Sequence, residues 1–242
     1  IVIAEGLPLY EVTLKINGEE TPVYTTLDGK YLVASPDVFL PLSGEIPTTN
    51  PTTPTSQPPT VVPKTAKPVA ELFVMTQCPY GTQAEKGMIP AIKALGTKAD
   101  VKIRFVHYFM HGAVEEAETY NQICIREEQP TKFIAYLECF LGTDGKAAGP
   151  TACYTKAGVD QAKLKSCVET KAKEYYAADS ALSNKYGVQG SPSLIINGAE
   201  SSAGRNAQSY LDGICAAFTT SPTECTKKID STNPSPGFGY TA

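Results

Sequence analysis

The chain has 242 residues, of which 42% are hydrophobic and 19% are charged, proportions that are typical of a folded protein. Its formal net charge at pH 7 is −4, and no cluster of Lys and Arg offsets it, which argues against a nucleic-acid partner. No stretch approaches the roughly 20 apolar residues of a membrane-spanning helix, so no membrane span is expected in this chain. The chain begins at Ile1 and not at Met, as a processed mature protein or a trimmed chain would.

Residues 1–46 are predicted to form a small antiparallel β unit. The segments YEVTLKI, TPVYTT and YLVAS alternate β-forming residues and are separated by Asn17-Gly18 and Asp28-Gly29, both strong hairpin signals. We therefore expect three short strands. Such a unit contains no cysteine and buries too little apolar surface to be stable alone. The unit must then dock on the rest of its own chain or pair with another copy. Because an extended linker of 22 residues, at about 3.1 Å per residue, could reach a neighbouring subunit, we predict a homo-oligomer, a dimer or an open chain of subunits, that assembles through the N-terminal β unit.

Residues 47–68 are predicted to be a linker. They contain seven Pro and seven Thr, a composition that favours extended polyproline-type structure and builds no core. Thr/Pro tracts of this kind are frequently O-glycosylated, so a glycoprotein is expected.

Residues 69–228 change to an α/β pattern, and residues 229–242 are expected to form a C-terminal tail. The apolar run VAELFVM predicts a buried strand, and a helix over 82–95 should be kinked by Pro90. Further along the chain we expect a strand over 101–109, helices over 115–141 (divided near Pro130) and 160–186, a strand over 193–198 and a closing helix over 210–218. The carboxylates of Glu85 and of residues 115–118 are expected to lie on solvated helix faces.

Six of the seven cysteines follow residue 120, with gaps of 15, 14, 14, 48 and 10 residues. These gaps are too wide for a zinc knuckle, so no metal site is expected and three disulfides are favoured. Disulfides place the protein outside the cytosol, at the cell surface or secreted, unless its source is a hyperthermophile. Among the insertion cysteines three pairings are possible, of which we prefer the two that close a Gly-rich loop and tie two helices. The expected pairs are Cys139–Cys153, Cys124–Cys167 and Cys215–Cys225.

The remaining cysteine, Cys78, lies in TQCPYGTQAEK, which reads as the turn between a strand and a helix. A sulfur at a helix N-terminus meets the positive end of the helix dipole, which favours the reactive thiolate. The position where a Cys-x-x-Cys motif has its second cysteine is Gly81, so no disulfide can close within the turn. A cysteine restored at that position should create a closed dithiol.

The order of strand, cysteine turn, helix, strand, helical insertion (about 112–186) and GVQGSPSLIING resembles the DsbA-like branch of the thioredoxin fold over residues 69–220. With its four insertion cysteines, the chain resembles a subgroup that includes archaeal extracellular thioredoxin-like proteins, and more loosely the interferon-inducible lysosomal thiol reductase. The N-terminal segment weakly resembles the dimerisation region of DsbC-type isomerases. The fold class is therefore expected to be α/β, a thioredoxin fold with a helical insertion, preceded by a small antiparallel β unit.

This resemblance implies that Pro192 is a cis-proline beside the active sulfur. It makes Cys78 the candidate catalytic residue and gives four candidate substrate-binding residues, which are Pro79, Tyr80, Ser191 and Pro192. The expected activity is monothiol exchange of the reductase or isomerase type, without a cofactor, on protein or small thiol and disulfide substrates. His107, at the end of a strand, is a candidate for tuning the thiolate.

Two other functions stay open from the sequence. Because the second cysteine is missing, the protein can be a redox-silent structural or assembly subunit at the cell surface rather than an enzyme. A weaker alternative is a copper carrier, in which His107 and His111 would act with the soft ligands Met75, Met110 and Cys78.

Overall fold

The computed structural model describes residues 62–240 and, before them, the five strands that lie within residues 2–41. The chain divides into two compact units, Ile1–Pro59 and Thr60–Ala242. Residues 47–61, most of the predicted linker and most of the threonines on which O-glycosylation is expected, lie outside the described residues.

The first unit is an antiparallel meander of five strands in the order β1-β2-β3-β4-β5. The prediction of three strands was too low, because β1 and β5 are short and carry no alternation long enough to detect. Ile16 of β2 pairs with Glu19 of β3 across the Asn17-Gly18 dipeptide, which itself lies outside the described residues. The strands are β1 (Val2–Ala4), β2 (Leu7–Ile16), β3 (Glu19–Thr26), β4 (Tyr31–Ser35) and β5 (Val38–Pro41).

The second unit is built around a four-stranded mixed sheet in the order β7-β6-β8-β9. Strand β6 (Val69–Val74) lies parallel to β7 (Asp100–Phe105) and antiparallel to β8 (Ser193–Ile196), which pairs with β9 (Ala199–Ser201). A strand covered on both faces reads as a continuous apolar run, as VAELFV does. Ala70, Leu72 and Val74 belong to the larger core cluster and Phe73 to a second one, as the two-residue period of a strand requires.

Seven helices are described in this unit. The predicted break near Pro130 is confirmed, because one helix ends at Glu128 and the next begins at Pro130. A short helix over Thr151–Ala157, which begins at the end of the Gly-rich loop, was not expected. The helices are α1 (Pro79–Leu95), α2 (Ala113–Glu128), α3 (Pro130–Leu141), α4 (Thr151–Ala157), α5 (Gln161–Thr170), α6 (Ala172–Lys185) and α7 (Ala207–Ala216). None of the described helices is both long and apolar enough to cross a bilayer.

Three disulfides cross-link the helices, and they are the pairs preferred from the sequence. Cys124–Cys167 joins α2 to α5, Cys139–Cys153 joins α3 to α4, and Cys215–Cys225 joins α7 to the 3₁₀ turn Thr223–Thr226. By the chain-entropy estimate, closing loops of these sizes stabilises the fold by about 3–4 kcal/mol each.

A buried ionic cluster fastens the helical insertion to the edge strand β7. Asp179 of α6, fully buried, accepts hydrogen bonds from Arg104 at 2.8 Å and from Arg126 at 2.7 Å. Arg104 also pairs with Glu71, while Asp179 and Arg126 cap the outer backbone groups of β7 at Phe105 N and Ile103 O. The cluster therefore satisfies a sheet edge that would otherwise be left unpaired.

The predicted C-terminal tail packs against the domain as far as residue 240. We call residues 234–240 the C-terminal strap. Its Gly237 N–H donates to Pro79 O at 2.8 Å, and its Phe238 ring meets Phe140 of α3 edge to face at 5.3 Å. From α1, Gln83 donates to Pro234 O and Lys86 donates to Gly239 O. The strap thus covers a face of α1 that starts at the cysteine turn.

Candidate active site

Cys78 is the N-cap residue of α1. Pro79 occupies the first helical position, where its missing N–H is no loss and its fixed φ suits a helix. The Cys78 Sγ accepts a hydrogen bond from Gly81 N at 3.4 Å, so the sulfur satisfies one of the free N–H groups at the helix start. Cys78 is half-buried, and it is the free cysteine of the chain. The geometry provides a sulfur that a disulfide can approach, held at the positive end of a helix dipole.

The loop before β8 supplies the other side of this sulfur. The Ser191–Pro192 peptide bond is cis, and the Cys78 thiol donates to Ser191 O at 3.4 Å. The Ser191 hydroxyl points the other way, into the domain, where it accepts from Met75 N at 2.9 Å. The backbone of Ser191, and not its side chain, therefore borders the sulfur.

The turn residues Pro79 and Tyr80 lie at the surface beside Cys78, and Tyr80 is 53% exposed. The guanidinium of Arg205 lies over the Tyr80 ring at 4.8 Å and donates to Gln83 Oε1 at 3.3 Å. Arg205 was not expected at the site, because 127 residues of chain separate it from Cys78 and no motif surrounds it.

An apolar cluster supports the cysteine turn from below. Cys78 packs against the second core cluster, whose buried members are Phe73, Met75, Val106, Val188 and Ile195. Because this cluster joins β6, the end of β7 and the segment after α6, the sulfur is mounted on rigid parts of the fold.

The thioredoxin family model matches residues 60–213, which is more than half of the chain. The chain belongs to the thioredoxin family. Its fold is the DsbA-like form, in which a helical insertion separates the two halves of the sheet, as the resemblance in the sequence predicted.

Solved structures of thiol-disulfide oxidoreductases share this thioredoxin fold. MdbA from Actinomyces oris is 15% identical, with a TM-score of 0.51 over 65% of this chain and 83% of its own. DsbG from Mycobacterium tuberculosis is 16% identical, with a TM-score of 0.51 over 65% and 81% of the two chains. The DsbA of the same organism is 16% identical, with a TM-score of 0.50 over 65% and 85%. Comparison with curated protein sequences gave no significant match.

The histidines of this thioredoxin domain are directed away from the sulfur. His107 Nδ1 lies 3.0 Å from Ser183 Oγ on α6, and His111 Nδ1 lies 3.0 Å from Glu115 Oε2. No hydrogen bond joins His107 to Cys78 in the described part of the chain. No direct contact therefore supports the expectation that His107 tunes the Cys78 thiolate. Within residues 62–240, no three His, Cys, Asp or Glu side chains converge where they could hold a metal ion.

Three carboxyl groups of the thioredoxin domain that were expected to be solvated are buried instead, those of Glu85 on α1 and of Glu115 and Glu118 on α2. Glu85 and Glu118 are both fully buried. Glu118 accepts hydrogen bonds from Tyr136, Gln122 and Gly149 N, yet burial raises its pKa to about 7. Neither carboxyl oxygen of Glu85 has a hydrogen-bond partner among the described residues. Burial first, and the nearby Glu118 charge second, raise the pKa of Glu85 well above its ordinary value.

Proposed function

We propose that the protein catalyses thiol–disulfide exchange by a monothiol route through Cys78. The observation that carries this proposal is the position of Sγ, which caps α1 and faces the Ser191 carbonyl beside the cis-proline. This is the geometry in which a thiolate meets helix N–H groups while a substrate disulfide approaches from solvent.

The reaction proceeds in two exchanges. The Cys78 thiolate attacks one sulfur of a substrate disulfide, forms a mixed disulfide and releases the other substrate sulfur as a thiolate. A second thiolate, from the same substrate or from a small thiol, then attacks the mixed disulfide and restores the Cys78 thiolate. No net oxidation of the enzyme occurs, so the expected outcome is isomerisation of a protein disulfide or reduction by an external thiol.

Several residues have defined roles in this mechanism. Before the attack, the thiol donates to Ser191 O; once it is ionised, the sulfur retains the hydrogen bond from Gly81 N. Pro79, Tyr80 and the cis-proline loop at Pro192 provide the surface on which an extended substrate would lie. Arg205, stacked on Tyr80, adds a positive charge at the rim of this surface.

An oxidising compartment, extracellular or at the cell surface, is the setting that suits this activity. Three disulfides are rarely kept in the reducing cytosol of a mesophile. Of the structural neighbours, MdbA is named a thiol-disulfide oxidoreductase and DsbG a disulfide bond oxidoreductase.

The test is to incubate the folded protein with glutathione disulfide and to follow its intact mass. We expect one glutathionyl group to be added at Cys78 and to be removed again by free glutathione. The matched control is Cys78→Ser, which should add nothing and should melt almost unchanged, because serine is itself a good N-cap and can accept from Gly81 N. If the folded protein adds nothing over hours while the unfolded protein reacts, a redox-silent structural role replaces this proposal.

A further inference from the structure

Gly81 stands where a closed dithiol would need its second sulfur, and the structure leaves no room for a side chain there. A Cβ placed on Gly81 would lie 2.6 Å from Ser191 Oγ, 2.9 Å from Met75 O and 3.2 Å from Cys78 Cβ. Gly81 is not among the glycines with a positive φ. Its backbone conformation would therefore suit a residue with a side chain. Glycine is required here because neighbouring atoms leave no room for a Cβ, and not because of the backbone angles.

The atom nearest to that Cβ position is fixed in place. The Ser191 hydroxyl accepts a hydrogen bond from Met75 N at 2.9 Å, and Met75 is only 4% exposed. If Ser191 rotated away to admit a side chain at position 81, the buried N–H of Met75 would lose its partner, which is unfavourable. The hydroxyl thus occupies the volume beside Gly81 as part of the hydrogen-bond pattern of the domain.

We propose that Ser191 is a positioning residue whose hydroxyl occupies space that any side chain at position 81 would need, and so keeps a second, resolving cysteine out of the turn. This inference rests on the proposed function for its chemical meaning. Because Gly81 carries no thiol, the mixed disulfide on Cys78 cannot be attacked from within the turn. A thiolate of the substrate or of a small external thiol must therefore attack the mixed disulfide. It forms a new disulfide with the substrate sulfur and releases Cys78 as a thiolate.

The experiment compares Gly81→Cys in the Ser191 background with Gly81→Cys combined with Ser191→Ala. Each protein is equilibrated in a series of glutathione redox buffers, quenched with acid, alkylated and analysed by mass. The sequence alone predicts a closed dithiol in the single variant; the contacts around Gly81 lead us to expect instead that it keeps two alkylatable thiols or carries glutathione on Cys78. The double variant should close an internal disulfide with an equilibrium constant at least about tenfold higher, which corresponds to about 1.4 kcal/mol.

The matched control uses alanine, which brings the Cβ without the sulfur. Gly81→Ala should lower the melting temperature in the Ser191 background and should lower it less in the Ser191→Ala background. The four proteins of this double-mutant cycle isolate the coupling between the two positions.

The outcomes separate this inference from the proposed function. Equal closure of the internal disulfide in both backgrounds would overturn the role of Ser191. If the internal disulfide closes in neither background, the role of Ser191 is also overturned, because the Met75 carbonyl would then be the group that blocks a side chain at position 81. If the coupling is found but wild-type Cys78 never exchanges with glutathione disulfide, the steric inference stands and the proposed function fails.

Discussion

Replacing Glu85 should stabilise the protein, and the gain should increase with pH. Glu85 is fully buried, and within the part of the chain that the structure describes neither of its carboxyl oxygens has a hydrogen-bond partner. A buried polar group without a hydrogen bond costs about 1–3 kcal/mol even when it is neutral. Glu85→Met has similar length, suits a helix and removes that cost. We therefore expect Glu85→Met to raise the free energy of unfolding by about 1–3 kcal/mol at acidic pH, where the carboxyl is protonated in both states.

The pH dependence follows from the raised pKa of Glu85. In the unfolded chain the carboxyl ionises near its ordinary value of 4.5, whereas burial keeps it protonated in the folded protein to well above that pH. The folded state then binds more protons than the unfolded state, so stability falls as pH rises through this window. For a single group the slope is about 1.4 kcal/mol per pH unit. Above the unfolded pKa, the difference in the free energy of unfolding between Glu85→Met and wild type should therefore grow by about 1.4 kcal/mol for each pH unit, as long as Glu85 stays protonated in the folded protein.

Urea unfolding with the disulfides intact, followed by circular dichroism between about pH 4 and pH 8, measures both effects. Glu85→Gln is the matched control, because it keeps a polar group but cannot ionise. It should equal wild type at pH 4 and exceed it progressively at higher pH. Parallel stability curves for wild type and Glu85→Gln would refute the buried, titrating carboxyl. A Glu85→Met variant less stable than wild type at every pH would show that the carboxyl has a partner in the fold.

Three further predictions concern the scaffold. Asp179→Asn should cost about 3–5 kcal/mol in urea unfolding, because it leaves the buried charges of Arg104 and Arg126 without their shared partner; a loss below about 1 kcal/mol would contradict the role of this cluster. Truncation after Asn233 removes the strap and should speed amide exchange in the first turns of α1 but not in β6; unchanged exchange would show that the strap fixes nothing. We propose that the N-terminal β unit mediates self-association, so light scattering should find an oligomer for the full chain and a monomer for a chain that begins at Thr60, whereas two monomers would refute this.

The periodicity of apolar residues and the spacing of the cysteines predicted much of the second unit, because most of its helices and strands are long and disulfides close several of its loops. The division of the insertion at Pro130 follows from the missing N–H of proline, which ends one helix and suits the start of another. Three pairings of the insertion cysteines were possible, and the preferred pair Cys139–Cys153, which closes a Gly-rich loop, is the one in the structure. What escaped prediction are the short elements, such as α4 and β9, whose seven and three residues carry too few repeats to show a period.

The burial of Glu85 could not be predicted for a different reason. A helix with one buried face keeps its charged residues on the other, and by that rule Glu85 should be solvated. In the fold every residue from Gly81 to Ile89 is buried, because β6, α3, α7 and the strap together surround this part of α1. The strap arrives from a Pro- and Gly-rich segment about 150 residues later, and nothing in its local sequence indicates where it docks.

The glycine at position 81 bears on how the absence of a second active-site cysteine is interpreted. If the second cysteine had merely been lost from a dithiol site, a small side chain such as serine or alanine could have filled the space that the sulfur left. Glycine inside a helix instead costs about 0.5–1 kcal/mol relative to alanine, and the backbone here does not require it. The Ser191 hydroxyl and the Met75 carbonyl lie 2.6 and 2.9 Å from where the Cβ would be, so the neighbouring groups are packed against a residue that has no side chain. If the site exchanges disulfides as we propose, this packing disfavours a resolving thiol inside the turn, and the second thiolate must come from the substrate or from a small external thiol.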